Sequence, residues 1–328
     1  MSTLSVNAQL AAQPKLRQGR FQERHQDYVI NSTIDPRLAS VAPGQLITNI
    51  ELRTDPDAPF LLRGRSYRVA YDNLDSRTQA GLQNVSLRFS GPNRDFRSEQ
   101  LIPQNLLMAY GGQSAAWKPV YPQIFYPASS TMLVDVLNTS ATVTLSHLIL
   151  YFRGVKLFPW GVNPSYTYPP KCAMLSYVYP VVNPSAVNPY GSIQNLLTSE
   201  TRLLQTWQNQ PDSGFVLRAL QAGPSYSPFA LEVFITLRDE NRKAFSNQPV
   251  HFEVLAGPSG GNYQTGSAGS ITSIGTGNSA PGILYPEIYV PPKHLLYYDI
   301  TRADSGYAGA ATIPNFPINL IGARVYQR

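Results

Sequence analysis

Tyr121-Pro122-Gln123-Ile124-Phe125-Tyr126-Pro127 returns 164 residues later as Tyr285-Pro286-Glu287-Ile288-Tyr289-Val290-Pro291. The displacement persists downstream, where Val134-Asp135-Val136 matches Tyr298-Asp299-Ile300. Upstream, Arg88-Phe89-Ser90-Gly91-Pro92 parallels Val254-Leu255-Ala256-Gly257-Pro258 at 166, and Pro59-Phe60-Leu61-Leu62 parallels Pro228-Phe229-Ala230-Leu231 at 169. Both copies close on an apolar run, Leu148 to Val155 and Ile318 to Val325. Four matches in one order point to a duplicated domain, with Tyr121, Pro122, Asp135, Tyr285, Pro286 and Asp299 as its repeat-defining residues.

The period within each copy is that of strands. Tyr67 to Tyr71, Val85 to Phe89, Leu231 to Leu237 and Val250 to Val254 alternate side-chain character with period two. Turn residues separate them, among them Asp72-Asn73, Gly91-Pro92-Asn93 and Asp239-Glu240-Asn241. Proline favours strand starts and edges, so the Tyr-Pro pairs should mark strand entries. The expected fold is all-β: two tandem duplicated β-sandwich, jelly-roll-like domains with an extended N-terminal arm, a Pro/Tyr-rich connector and one short helix. The expected boundaries are an arm over 1–44, a first sandwich over 45–158, a connector over 159–211 and a second sandwich over 212–328. The stretch 159–190 holds seven prolines and five tyrosines and reads as a stiff extended linker. Within the connector, Ser192 as a cap and Ile193, Leu196, Leu197, Leu204 and Trp207 on one face predict a helix over 192–208.

Charge is scarce. Only 14% of the 328 residues are Asp, Glu, Lys or Arg, against roughly 25% in ordinary soluble proteins. The net charge of +6 is unevenly placed: residues 98 to 190 hold only Lys118, Arg153, Lys156, Lys171, Glu99 and Asp135. Such a block is poorly solvated unless neighbours cover it. The arm carries Lys15, Arg17, Arg20 and Arg24, which have affinity for phosphate, but docking on a neighbouring subunit explains them equally and is preferred over nucleic acid. Phe21, Tyr28, Trp160, Tyr166, Tyr168 and Tyr177 are costly to leave in water, so with Arg17, Arg20 and Arg24 they form the expected assembly interface.

Chemistry is sought and not found. His25, His147, His251 and His294 are scattered without metal-ligand spacing, and Cys172 is the sole cysteine. Gly275-Thr276-Gly277-Asn278-Ser279-Ala280 satisfies a relaxed dinucleotide fingerprint, but Pro281-Gly282 follows where a helix is required. No catalytic residue, metal ligand or cofactor is therefore expected. The longest apolar stretch is far too short to span a bilayer, and the N-terminus lacks the basic-then-apolar pattern of a signal peptide, so no membrane partner is expected.

The arm, the duplicated sandwiches, the Pro/Tyr connector and the low charge together resemble virion structural proteins of tailed bacteriophages. Asp57-Ala58-Pro59-Phe60-Leu61-Leu62-Arg63-Gly64 and Leu148-Ile149-Leu150-Tyr151-Phe152-Arg153-Gly154-Val155 share that style. The resemblance implies a non-enzymatic particle component, a head decoration or minor capsid protein or part of the neck or collar. Its partners would be copies of itself and other virion proteins, and its location the virion, assembled in the host cytoplasm. Two alternatives stand beside it: a double jelly-roll major capsid protein, and a carbohydrate-binding or glycan-degrading sandwich protein.

Overall fold

The computed structural model describes residues 21–69, 85–93, 98–110, 117–142, 144–159, 172–180, 192–197, 201–222, 233–251, 254–255, 282–302 and 312–327. These residues form four principal sheets in two sandwiches. In the first, one antiparallel sheet runs β1 (Phe21–Ile30), β11 (Leu148–Pro159), β4 (Phe60–Val69) and β8 (Lys118–Tyr126), with β7 (Ala109–Tyr110) joining β4 in parallel. Facing it are β3 (Leu46–Arg53), β9 (Thr131–Asn138), β5 (Val85–Phe89) and β6 (Ile102–Pro103). A small pair, β2 (Ser40–Val41) with β10 (Leu145–Ser146), and two short helical turns, Pro36–Ala39 and Gln104–Leu107, complete it.

The second sandwich repeats this order strand for strand. Its first sheet runs β12 (Cys172–Pro180), β20 (Thr312–Gln327), β15 (Gly214–Ala222) and β18 (Gly282–Val290), and β13 (Ser192–Leu197) extends the pairing along β20. Its second sheet runs β14 (Thr201–Gln208), β19 (Leu295–Arg302), β16 (Val233–Arg238) and β17 (Val250–His251). Tyr121-Pro122 on β8 and Tyr285-Pro286 on β18 therefore occupy equivalent positions, as do Asp135 on β9 and Asp299 on β19.

Close approach fixes a third pair. The ladder slips at Arg153/Gly154 against β4 and at the matching point of β20 against β15. There Gly154 and Gly322 lie so near the opposite strand that a Cβ would strike the carbonyl oxygens of Leu61 and Val216 and the rings of Phe60 and Phe215. Only glycine fits a bulge at that distance.

Each core fills from alternate positions of its two sheets. The first gathers Phe60, Leu62, Leu148, Leu150 and Phe152 against Ile47, Ile50, Val85, Leu87 and Val134. The second gathers Phe215, Leu217, Ile288 and Leu320 against Trp207, Ile235, Leu296 and Ile300.

Several expectations are corrected. No helix spans 192–208: the segment holds β13 and β14, and β14 is the edge strand equivalent to β3. A bulge between Arg202 and Gln205 turns Leu203 and Leu204 outward and Trp207 inward, and this broken alternation imitates helical spacing. The stretch 1–44 is not an arm throughout, because β1 pairs along its full length with β11. Nor is 159–211 a connector throughout, since β12 is the counterpart of β1. Two of the four repeat matches also fall away. Phe60 corresponds to Phe215, not Phe229, and the strand of Arg88 corresponds to β16, not to the residues around Val254. Displacement is not constant because the connection from β17 to β18 is sixteen residues longer than that from β6 to β8.

Candidate functional site

Within the first sheet of the first sandwich, β1 and β11 are buried on both faces. Tyr28 and Ile30 of β1, with Leu148, Leu150 and Phe152 of β11, point into its own core. Their neighbours Val29, Ile149 and Tyr151 point the other way and belong to the core of the second sandwich, beside Val254 and Leu255. Period-two geometry thus makes β1 and β11 a shared wall.

Polar groups lock the wall. Asp27 accepts two bonds from Arg153, at 2.9 Å each, and His25 Nε2 lies 3.2 Å from the same carboxylate. The Arg153 guanidinium stacks 3.9 Å from the Trp117 ring, whose indole N–H donates to the Val254 carbonyl at 3.0 Å. Arg24 reaches across to Asp239 at 3.2 Å and to the carbonyls of Lys243 and Ala244, and it lies over the Phe245 ring. The Asp27 amide donates to the Phe245 carbonyl, while Asn247 accepts from the Val29 amide at 2.7 Å and donates to its carbonyl. Asp27 is 1% exposed and Arg153 4%. Burial alone pushes the Asp27 carboxyl up, but Arg153 and His25 outweigh it and hold the group well below the usual carboxylate range. Such a seam is a buried, ion-paired and hydrogen-bonded junction between the two sandwiches.

A second construction occurs twice. Asp135 accepts from the Asn49 amide at 2.8 Å and from Arg88 at 2.7 Å. Asp299 accepts from the Leu204 amide at 2.8 Å and from Arg238 at 2.8 Å. Asn49 and Leu204 sit in the bulges of β3 and β14 with φ of 56° and 50°. Arg88 stands directly across from Asp135, whereas Arg238 comes from the diagonal position two residues further along. Both carboxylates thus staple a bulged edge strand, a structural role.

The expected interface residues separate. Arg24 is bound at the internal seam and Tyr28 lies in the first core, its hydroxyl accepting from the Asp55 amide, so both leave the assembly interface. Phe21 is half-buried against Leu61, Val155 and Leu157. Tyr177 stands opposite Gly322 on β12. Arg17, Arg20, Trp160, Tyr166 and Tyr168 lie outside the described residues, as do residues 275–280 of the glycine-rich loop. Sequence reasoning missed Asp27, Trp117, Phe245 and Asn247 as seam residues. The available signal was the unbroken apolar run Leu148 to Phe152, which marks a strand buried on both faces.

Among the described residues no group of three or more His, Cys, Asp or Glu is placed to hold a metal ion. His251 packs edge-on against Phe234, and His294 pairs with Glu240 beside an open cleft. No described helix is long and apolar enough to cross a membrane.

No family model and no curated protein matches the chain. Solved structures with some likeness include the tandem CBM22-1-CBM22-2 domain of Paenibacillus barcinonensis Xyn10C, at 11% identity and TM-score 0.19, covering 94% of both chains. The PBSX exported protein XepA matches at 8% identity and TM-score 0.22, over 94% of this chain and 86% of its own. The Macrobrachium rosenbergii nodavirus structure matches at 10% identity and TM-score 0.19, over 94% of this chain and 99% of its own. Scores this low carry no inference about activity.

Proposed function

We propose that this chain is a non-enzymatic structural component of a virus particle of the bacteriophage type, acting at the head surface or in the neck and collar through subunit contacts. One observation carries the reading: only 14% of the sequence is charged, and ten of those charged residues are buried. Arg24, Asp27, Arg65, Arg68, Asp135, Arg153, Lys156, Asp239, Asp299 and Arg302 are all buried. On a surface with so few charges to spare, the large hydrophobic side chains of Tyr121, Leu106 and Leu203 stand out in solvent. A surface like that suits a subunit covered by neighbours.

The test is localisation. Antibody labelling or mass spectrometry of purified source particles should find the chain in many copies. Absence from particles, or specific retention on a glycan array, would replace this reading with the carbohydrate one.

A further inference from the structure

Duplication lets one half of the molecule report on the other. Inside the chain, besides the segment 239–247 bound along β1, the second sandwich docks on the first by two elements: strand β18, which lies against β1 and β11, and the turn holding Val254 and Leu255. The counterparts of these elements in the first sandwich are β8 and the turn Gln104–Leu107, placed by the register of β8 on β4 and of β6 on β5. There they are bare. Tyr121 of β8 is 97% exposed and Leu106 of the turn 62%, although Leu106 matches Val254, which is fully buried.

The receiving face has its own counterpart. Within the chain it is the outer side of β1–β11, and in the second sandwich the equivalent is the outer side of β12–β20. Among the described elements no strand lies against β12 and β20 as β18 lies against β1 and β11. The ion pair Asp27–Arg153 is matched by the register positions of Val178 and Ile321, and Val29 and Tyr151 by those of Pro180 and Asn319. The buried ion pair of the sealed wall is thus replaced by two apolar residues and Arg24 by Leu175, while Lys156 keeps a cationic counterpart in Arg324. Apolar residues where the sealed wall carries its ion pair suit self-association through apolar contact.

We propose that copies of this chain associate head to tail. The β8 edge and the Gln104–Leu107 turn of one copy seat on the β12–β20 face of the next, repeating between molecules the junction that each molecule already makes within itself. The donor and acceptor surfaces differ, so the contact is heterologous and propagates into a ring or a filament rather than stopping at a dimer. This deepens the proposed structural role by naming the partner as a second copy.

The experiment uses the full chain and sedimentation velocity over a range of concentrations. Wild type should grow beyond a dimer as concentration rises. The donor variant Leu106→Glu with Tyr121→Glu, and the acceptor variant Ile321→Arg, should each weaken self-association about tenfold or more with unchanged circular dichroism. Mixed together, the two variants retain one good donor and one good acceptor and should form a discrete one-to-one complex. Asn319→Arg replaces the acceptor variant if Ile321→Arg melts early. Wild type that stays monomeric, a donor variant that associates like wild type, or a mixture that yields no complex overturns the proposal. Presence of the chain in particles despite any of these results would sink only the head-to-tail geometry and leave the structural role standing.

Discussion

Asp135 and Asp299 show how a single carboxylate can shape a strand. Each satisfies an amide that the bulge has removed from the ladder and an arginine beside it. Replacing Asp135 with Ala strands both donors, and the variant is expected to lose about 3 kcal/mol in urea titrations, with Asp299→Ala costing a similar amount. The two bulge residues are not equally suited to their backbone. Asparagine tolerates a left-handed conformation, leucine does not, and Leu204 is partly exposed at φ 50°. Leu204→Asn should therefore stabilise the protein by about 0.5–1 kcal/mol, and Asn49→Leu should do the reverse. Equal melting temperatures for both variants and wild type would contradict the strain account.

At the scale of elements, β11 and β20 are long strands bent at one glycine each. Gly154→Ala must push Leu61 or Phe60 aside, and Gly322→Ala must do the same to Val216 or Phe215. Each is expected to cost about 3 kcal/mol or more, visible as a lowered denaturation midpoint. β1 also decides which truncations survive. Removal of residues 1–44 deletes the strand that pairs with β11 and forms the seam, so the fragment should fail to fold rather than merely fail to assemble.

The whole molecule is two sandwiches held as one by the Asp27–Arg153–Trp117 junction. Asp27→Asn leaves the Arg153 guanidinium buried with a weaker partner, and a loss of about 3–5 kcal/mol is expected. The acid response follows from the same group. Its folded pKa lies below its unfolded one, so its stabilisation is complete above the ordinary carboxylate pKa of about 4 and declines as pH falls below that. Thermal melts of wild type should drop steeply below about pH 4, and the Asp27→Asn variant should show a shallower drop there. Identical pH profiles would remove the junction from this account.

Sequence alone determined the strand period, the duplication at Tyr-Pro and at Asp135 and Asp299, and the poverty of charge. These are local patterns, and alternation or a short motif survives without knowing what it packs against. What tertiary structure decided is the membership of each strand. β1 and β12 lack a distinctive pattern because β1 is buried on both faces and β12 runs through proline-rich sequence, so pairing with β11 and β20 defines them. β14 imitates a helix because a bulge interrupts its alternation, and only the ladder to β19 reveals it. The seam stayed hidden for the same reason: Asp27, Arg153, Trp117 and Asn247 are far apart in the chain, and a long-range ion pair leaves no spacing for a linear reading to find.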